Sequence, residues 1–184
     1  MLFRSGRLLN GVNGRDVLLV KRFDVRSTHR AHLVSVAGVL PRRGQVFSYD
    51  AIHRVLQKHS TTIERDVERL LRLMLFNRAI NNLDDHERNV SLINDGSGYR
   101  LAPVYDLVPS LIRGQYPAAG FGHQPFAPKP SAAPAMGRIF GLAKPRVAQI
   151  ADEVLHAIGE WASIAASSGV SDEESVLLQS HFNP

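Results

Sequence analysis

Cysteine, long apolar runs and a signal sequence are all missing from this chain of 184 residues. Without cysteine the chain forms neither disulfides nor thiolate metal sites, a composition that is typical of cytoplasmic proteins. No stretch approaches the roughly 20 apolar residues of a membrane-spanning helix. The N-terminal segment MLFRSGRLLNG also lacks the apolar centre of a signal peptide. We therefore expect a soluble, cytoplasmic protein without membrane contact.

Acidic residues are missing from one long segment of the chain. Residues 107–151 contain no Asp or Glu, although they hold five Lys or Arg residues and seven of the ten prolines. Because proline interrupts regular helices and strands, this composition predicts a basic, proline-rich loop over residues 107–145. Two interpretations stay open: the loop contacts phosphates or an acidic protein substrate, or its charge only keeps it solvated. The net charge of +5 favours an anionic ligand, but direct contact with nucleic acid is not predicted.

The composition that is present belongs to one globular domain. Hydrophobic residues make up 44% and charged residues 21% of the chain, and its length suffices for a sizeable core. Apolar periodicity and turn residues divide this single domain into four parts: a strand-like segment at 1–24, a helical core with a polar loop at 48–106, the basic loop at 107–145 and helices at 146–180. We predict a mainly α fold with small β-hairpins, of the α+β class.

Strand signals occur in two places. Apolar and β-branched residues predict a buried strand over Asp16–Phe23, directly after the turn residues Asn13-Gly14. Further along, the short apolar runs 90–93 and 99–104 flank the sequence NDGSG. That combination predicts a β-hairpin.

Helix signals occupy most of the rest. A short helix is predicted over 48–59, and Thr61 and Glu64 have the spacing of a capping box that begins a second helix. The apolar stripe that follows, as far as Ile80, is wide enough for a helix in the middle of a core. A helix pair closes the chain, with a second capping box at Ser171.

A cluster of polar residues lies in the sequence NNLDDHERNVSLI at 81–93, between the predicted core helix and the predicted hairpin. It holds Asp84, Asp85, His86, Glu87 and Asn89. One interpretation is a solvated connection. Another is a metal-dependent hydrolase in which the first four residues are ligands, although adjacent residues in one loop rarely all face one ion and no paired-His spacing supports it.

A third interpretation accounts for more of the chain. Phosphoryl transfer in kinases needs a carboxylate that orients and deprotonates the attacking hydroxyl, and an amide and a second carboxylate that hold Mg²⁺. The kinase catalytic loop places its Asn five residues after the base. Asp84 and Asn89 are five residues apart, and Asp106 follows the predicted hairpin. Order and spacing therefore indicate a kinase-type site.

At this point a family resemblance is visible. NLDDHERNVSLI followed by YRLAPVYDLVPSL resembles the C-terminal domain, a protein-kinase-like large lobe, of the HipA family of bacterial serine/threonine kinases, which act as toxins in toxin–antitoxin pairs. The resemblance implies ATP and Mg²⁺ as cofactors. It implies that Asp84 is the catalytic base, that Asn89 and Asp106 are the Mg²⁺ ligands, and that His86 braces the loop. Asp85 and Glu87 are expected to be bystanders.

A second part of the resemblance lies upstream. Leu18–Asp24, LLVKRFD, resembles the strand that ends in the hinge between the two lobes of the family. It implies that the backbone near Lys21 and Phe23 meets the adenine edge of the nucleotide, and that Asp24 approaches the ribose. Taken alone, without the catalytic motif, the stretch is better explained as a core strand with a solvated Lys-Arg pair.

The resemblance also implies what this chain lacks. In a complete kinase a small lobe with a phosphate-covering loop and a strand lysine precedes the hinge, whereas about twenty residues precede it here. We expect a truncated gene, a split kinase with a separate small-lobe chain, or a remnant, with negligible turnover alone and an apolar surface where the small lobe would dock. The family implies a protein substrate of the aminoacyl-tRNA synthetase kind and a helix-turn-helix antitoxin. The alternative function is a non-catalytic, partner-binding module.

Overall fold

The computed structural model describes residues 6–40, 47–94 and 96–184. The strands of these ranges are β1 (Gly6–Val12), β2 (Arg15–Val20), β3 (Leu33–Ser35), β4 (Ser91–Asn94) and β5 (Tyr99–Leu101). The helices are α1 (Val36–Val39), α2 (Tyr49–His59), α3 (Ile63–Ala79), α4 (Lys144–Gly159), α5 (Trp161–Ser167) and α6 (Asp172–Gln179). β1 and β2 form one antiparallel hairpin, and β3-β4-β5 form a second antiparallel sheet. The predicted α+β class, with small hairpins, is confirmed.

The first hairpin corrects the prediction of a buried strand over Asp16–Phe23. β2 ends at Val20 and, apart from the half-buried Val17, is exposed, with Leu18 65% and Leu19 50% accessible. A two-stranded sheet has no second layer of its own, so its apolar side chains stay in solvent unless another element covers them. The turn prediction at Asn13-Gly14 is confirmed, and both residues have positive φ angles.

Helix α3 is the centre of the core, as its apolar stripe predicts. Leu70, Leu71, Met74 and Leu75 have no exposed surface, and α2, α4 and β5 all pack against this helix. Each such side chain contributes about 1.5 to 3 kcal/mol by burial. The polar cluster follows directly on the C-terminus of α3, so it is attached to the helix at the centre of the core.

The capping box predicted at Thr61 and Glu64 is wrong. The N-cap of α3 is Thr62, whose side chain makes no capping bond. Thr61 instead donates its hydroxyl to the carbonyl oxygen of Tyr99, 3.1 Å away. A tertiary contact with strand β5 therefore takes the side chain that local spacing assigned to the cap.

A buried ion pair attaches β5 to α3. Asp66 is fully buried and accepts the N–H of Leu101 at 2.6 Å, and Arg69 donates to the carbonyls of Leu101 and Ala102 at 2.6 and 2.9 Å. Arg69 and Asp66 also pair directly at 3.2 Å. Both charges are satisfied, as burial requires. The end of the hairpin is fixed four residues before Asp106.

The hairpin predicted around NDGSG is confirmed. β4 and β5 pair antiparallel, with Leu92 opposite Leu101. Gly96 and Gly98 both have positive φ angles, which glycine adopts most readily. Asp95 of this turn lies outside the described residues.

The segment after Asp106 is irregular, as proline content predicts, but it is bonded to the core. Its regular structure as far as α4 is a 3₁₀ turn at Ala133–Met136 together with isolated bridges. The carbonyl of Gly120 accepts the N–H of Tyr49 at 2.9 Å, and the N–H of Ala118 donates to Leu83 at 3.2 Å. These bonds hold the segment against α2 and the polar loop.

The C-terminal prediction of a helix pair is wrong. The segment from Val147 to Ala165 is divided at Glu160 into α4 and α5, and α6 follows as a third helix. The capping box of Ser171 and Glu174 is confirmed. Among the helices of the described ranges, none combines the length and apolar character needed to cross a membrane.

Candidate active site

The loop after α3 is organised by hydrogen bonds from its own amides. Asn89 donates from Nδ2 to the carbonyl oxygen of Asp84 at 2.8 Å, and its N–H donates to the carbonyl of His86 at 2.9 Å. The side chain of Asn82 accepts the N–H of Asp84 at 3.0 Å. The Asp84 backbone is therefore held from both sides, while its carboxylate is 77% exposed. The residue predicted as the base is fixed in position and accessible.

His86 lies beside the Asp84 carboxylate. Its Nε2 is 3.7 Å from Asp84 Oδ1, and its Nδ1 faces the N–H of Arg88 at 3.3 Å. Because Nδ1 accepts that bond, the proton of a neutral ring is on Nε2, the nitrogen that faces the carboxylate. The structure thus places His86 next to Asp84, and the bracing role that the resemblance implies stays a prediction.

Asp85 points the opposite way, into the core. It is 5% exposed, and its two oxygens accept the hydroxyl of Tyr49 at 2.6 Å and the N–H of Ala119 at 3.0 Å. Asn77 donates to the same Tyr49 oxygen at 2.9 Å and accepts from Asn82 at 3.1 Å. Asp85 therefore joins its own loop to α2, to α3 and to the basic loop at 107–145. The expectation that Asp85 is a bystander did not foresee this structural role.

Burial dominates the electrostatics of this pair. Desolvation raises the pKa of the Asp85 carboxyl, and the hydrogen bond from Tyr49 opposes that rise. Burial likewise raises the pKa of Tyr49 well above its ordinary value, and the charge of Asp85 adds to the effect. The phenol therefore remains a donor, and the carboxylate depends on it.

Tyr105 connects Asp106 to the loop. Its hydroxyl donates to the carbonyl of Arg88 at 2.6 Å, so the hydroxyl of Ser91, 2.5 Å away, is the donor to Tyr105. Asp106 follows with φ +57° and an exposed side chain. The left-handed backbone is uncommon for a residue with a Cβ, and such outliers are concentrated at functional sites. The Tyr-Asp pair thus lies against the residue that precedes Asn89.

The hinge-like residues divide into one that joins this site and two that do not. The ring of Phe23 lies 6.1 Å from that of Tyr105, centroid to centroid. Asp24 is buried, and both of its oxygens accept from Arg22, at 2.9 and 2.6 Å. Lys21 lines an open cavity on the first hairpin, formed otherwise by residues of β1 and β2. The predicted roles of Lys21 and Asp24 stay predictions, and Asp24 would have to leave Arg22 to bind a ribose.

The donor set at the predicted Mg²⁺ site fits that ion. Mg²⁺ is bound in proteins by one or two oxygen side chains together with water and phosphate. The bond from Asn89 Nδ2 to Asp84 leaves the amide oxygen Oδ1 of Asn89 as an available ligand, and the Asp106 carboxylate is exposed. Both ligands are oxygen, and neither is consumed by an ion pair with another described residue.

The hydrolase alternative finds no geometric support. Asp84 and Asp85 face solvent and core respectively, so they cannot bind one ion together. Within the three described ranges no group of three or more His, Asp or Glu residues is placed to hold a metal.

Comparison with protein-family models identifies the family of this chain. The family model described as the HipA-like C-terminal domain matches residues 5–162. The chain belongs to this family. Its kinase-like loop, hairpin and Tyr-Asp pair all lie inside the matched range.

Two relatives define how far the likeness extends. "Putative kinase Y4mE" of Sinorhizobium fredii is 30% identical over 115 residues, which cover 54% of this chain and 26% of that protein. The HipA structure of Shewanella oneidensis MR-1, solved with HipB and operator DNA, matches with a TM-score of 0.67 at 17% identity, over 97% of this chain and 49% of its own. The structural likeness establishes the kinase-like large-lobe fold, and this chain spans about half of that HipA chain and about a quarter of Y4mE.

Proposed function

We propose that this chain is the large lobe of a HipA-type serine/threonine kinase, in which Asp84 is the catalytic base and Asn89 and Asp106 hold Mg²⁺. The observation that supports it most is the 2.8 Å bond from the Asn89 amide to the Asp84 carbonyl, because it gives base and metal ligand one fixed geometry. The Tyr105 bond to Arg88 brings Asp106 to the same loop.

The chemistry follows from what each group can do. A serine or threonine oxygen of a protein substrate attacks the γ-phosphorus of ATP, the bond to the β-phosphate oxygen breaks, and ADP leaves. The hydroxyl proton passes to the exposed carboxylate of Asp84, which His86 holds in place. Mg²⁺, when bound, neutralises charge on the phosphates. The contact between Phe23 and Tyr105 supports an adenine site beside the hinge-like segment.

Turnover in this proposal requires a small lobe, supplied by a separate chain or by further sequence. The exposed Leu18 and Val20, which lie on one face of β2, form an apolar patch of the kind that a partner covers. By likeness to a HipA that is solved with HipB and DNA, we propose an antitoxin-like partner, a toxin role and a cytoplasmic location.

Titration with Mg²⁺–ATP, followed by calorimetry, tests the site. Asp106→Ala should weaken binding about tenfold or more, because it removes a charged metal ligand. Asp152→Ala, an exposed aspartate on α4, is the matched control and should leave binding unchanged. The same affinity in both variants would remove Asp106 from the site.

Phosphotransfer to a protein substrate tests the base. With the small lobe supplied, Asp84→Asn should retain Mg²⁺–ATP binding and lower the rate by about a hundredfold or more, as expected for loss of general-base catalysis. Retained activity would show that Asp84 is not the base.

A non-catalytic, partner-binding module is the second candidate. The Arg22 pair that occupies Asp24 favours it, because a nucleotide would have to displace that pair. In this case Mg²⁺–ATP gives no heat even with the small lobe present, while the partner still binds.

A further inference from the structure

A second cavity, distinct from the Asp84 loop, lies where three parts of the chain meet. It has a volume of about 300 Å³ and is lined by the end of α3, by residues that follow Asp106 and by the C-terminal residues Ser180–Asn183. Among the described residues that line it, the basic side chains are Arg78, Arg113 and His181, and none is Asp or Glu. A space of this size accommodates a small ligand.

Arg78 has neither an acidic partner nor a hydrogen bond to its guanidinium within the part of the chain that the structure describes. Its Nε is buried without an acceptor, and the guanidinium lies over the ring of Phe126, 4.8 Å from the centroid. Asp85 is the acidic residue that shares a smaller void with Arg78, but the Asp85 oxygens accept from Tyr49 and Ala119 instead.

An arginine in this environment would gain charge-assisted hydrogen bonds from a bound anion. Burial lowers the pKa of Arg78, since desolvation disfavours its charged form. The buried Arg69, by contrast, is satisfied by Asp66 and two carbonyls. An anion with several acceptor oxygens would satisfy Arg78.

Arg113, in the basic loop at 107–145, lines the same cavity. One guanidinium nitrogen donates to the carbonyl of Ser180 at 3.0 Å, which fixes the side chain at the cavity and leaves its other donors available. The side chain of Asn81 donates to the carbonyls of Ser110 and Ile112 at 2.8 and 3.0 Å. The chain that carries Arg113 is therefore anchored on both sides of the cavity.

We propose that this cavity binds a phosphate group, through the guanidinium groups of Arg78 and Arg113. A planar fork of donors matches phosphate oxygens, and two forks from different elements converge here with no competing carboxylate. The phosphate group comes either from the free ion or from a phosphorylated side chain of a peptide. Binding at this cavity fixes the segment that follows Asp106, and it is independent of the nucleotide at Asp84.

NMR titration in the absence of ATP tests the site. Inorganic phosphate and a short phosphoserine peptide are added in turn at constant ionic strength, with chloride as the reference anion. Wild-type protein should bind both, and Arg113→Gln and Arg78→Gln should each weaken binding about tenfold or more, because each removes charge-assisted hydrogen bonds. Arg138→Gln removes one exposed charge from the same segment outside the cavity, and it should leave binding unchanged.

The relative affinities of the two probes distinguish the two sources of the phosphate group. Tighter binding of the peptide than of the ion assigns the site to phosphorylated protein, and equal binding assigns it to the free ion. Equal weakening by Arg138→Gln and Arg113→Gln, or no binding of either probe, overturns the proposal. Because Arg113 is exposed, its variant should unfold at the wild-type urea concentration, so a loss of binding there cannot arise from misfolding. Failure of Mg²⁺–ATP binding would leave this result unaffected.

Discussion

Replacement of Tyr49 by Phe tests whether Asp85 anchors the loop that carries Asp84. The substitution keeps the aromatic ring in the core and removes only the hydroxyl. That hydroxyl donates to Asp85 at 2.6 Å and accepts from Asn77 at 2.9 Å. The variant therefore leaves a buried carboxylate with one donor fewer and a buried amide without its acceptor.

The magnitude follows from these two bonds. A hydrogen bond to a charged group contributes about 1.5 to 3 kcal/mol, and an unsatisfied buried donor costs about 1 to 3 kcal/mol. We expect Tyr49→Phe to lower the free energy of unfolding by about 3 to 5 kcal/mol at neutral pH. This is a large fraction of the roughly 5 to 15 kcal/mol that stabilises an ordinary domain.

The loss should depend on pH through Asp85. The pKa of the folded Asp85 carboxyl is already raised by burial, so the folded protein holds this proton more tightly than the unfolded chain does. Stability then falls as pH rises from the unfolded pKa to the folded pKa, and is level above it. Removal of the Tyr49 donor raises the folded pKa further, so the variant loses more over this window. The destabilisation should be largest at pH 8 and smaller at pH 5.

Urea denaturation at pH 5 and pH 8 measures the effect. Tyr116→Phe is the matched control, because Tyr116 is 67% exposed, and this change should stay within about 0.5 kcal/mol at both pH values. A Tyr49→Phe loss below about 1 kcal/mol, or one that is the same at both pH values, would refute the anchoring role of the charged Asp85.

Two further predictions concern the supports of the site. Arg69→Met should destabilise the fold by about 3 to 5 kcal/mol because it leaves Asp66 buried without its cation, whereas the exposed Arg65→Met should change thermal unfolding little; equal effects would contradict the ion-pair argument. Gly98→Ala should destabilise the fold more than Gly96→Ala. Both glycines have positive φ, but of the two only at Gly98 would the added Cβ lie 2.4 Å from the Thr61 methyl. In urea unfolding, the additional loss of stability at Gly98 should largely disappear when Thr61→Ser removes that methyl, and its persistence would exclude the clash.

Sequence patterns predicted the parts of this fold that local physics determines. The apolar width of α3 predicted its central place, and the glycine-rich turn predicted the β4–β5 hairpin. The wrong predictions concern residues whose structure depends on a partner that is distant in the sequence. Thr61 bonds to Tyr99 rather than capping its own helix, and β2 is exposed because neighbouring residues in a sequence do not reveal whether a second layer covers a strand.

The same limit applies to the candidate site. Spacing alone related Asp84, Asn89 and Asp106, and Asn89 and Tyr105 do bond to one loop. Spacing gave no signal for Tyr49 or Asn77, since they lie on α2 and α3 and reach the loop only through tertiary packing. Burial of the Asp85 carboxylate depends on these partners, and no local pattern specifies them.

The two adjacent aspartates show how the loop combines access with rigidity. Their side chains face opposite ways, one into solvent and the other into the core. Asp84 takes the outer position, 77% exposed, while Asp85 takes the inner one and bonds to Tyr49 and Ala119. An apolar residue at 85 would bury well but would leave the Tyr49 hydroxyl and the Ala119 N–H unpaired. A carboxylate serves both donors at once, so the inner aspartate fixes the backbone that positions the outer one without contact with any substrate.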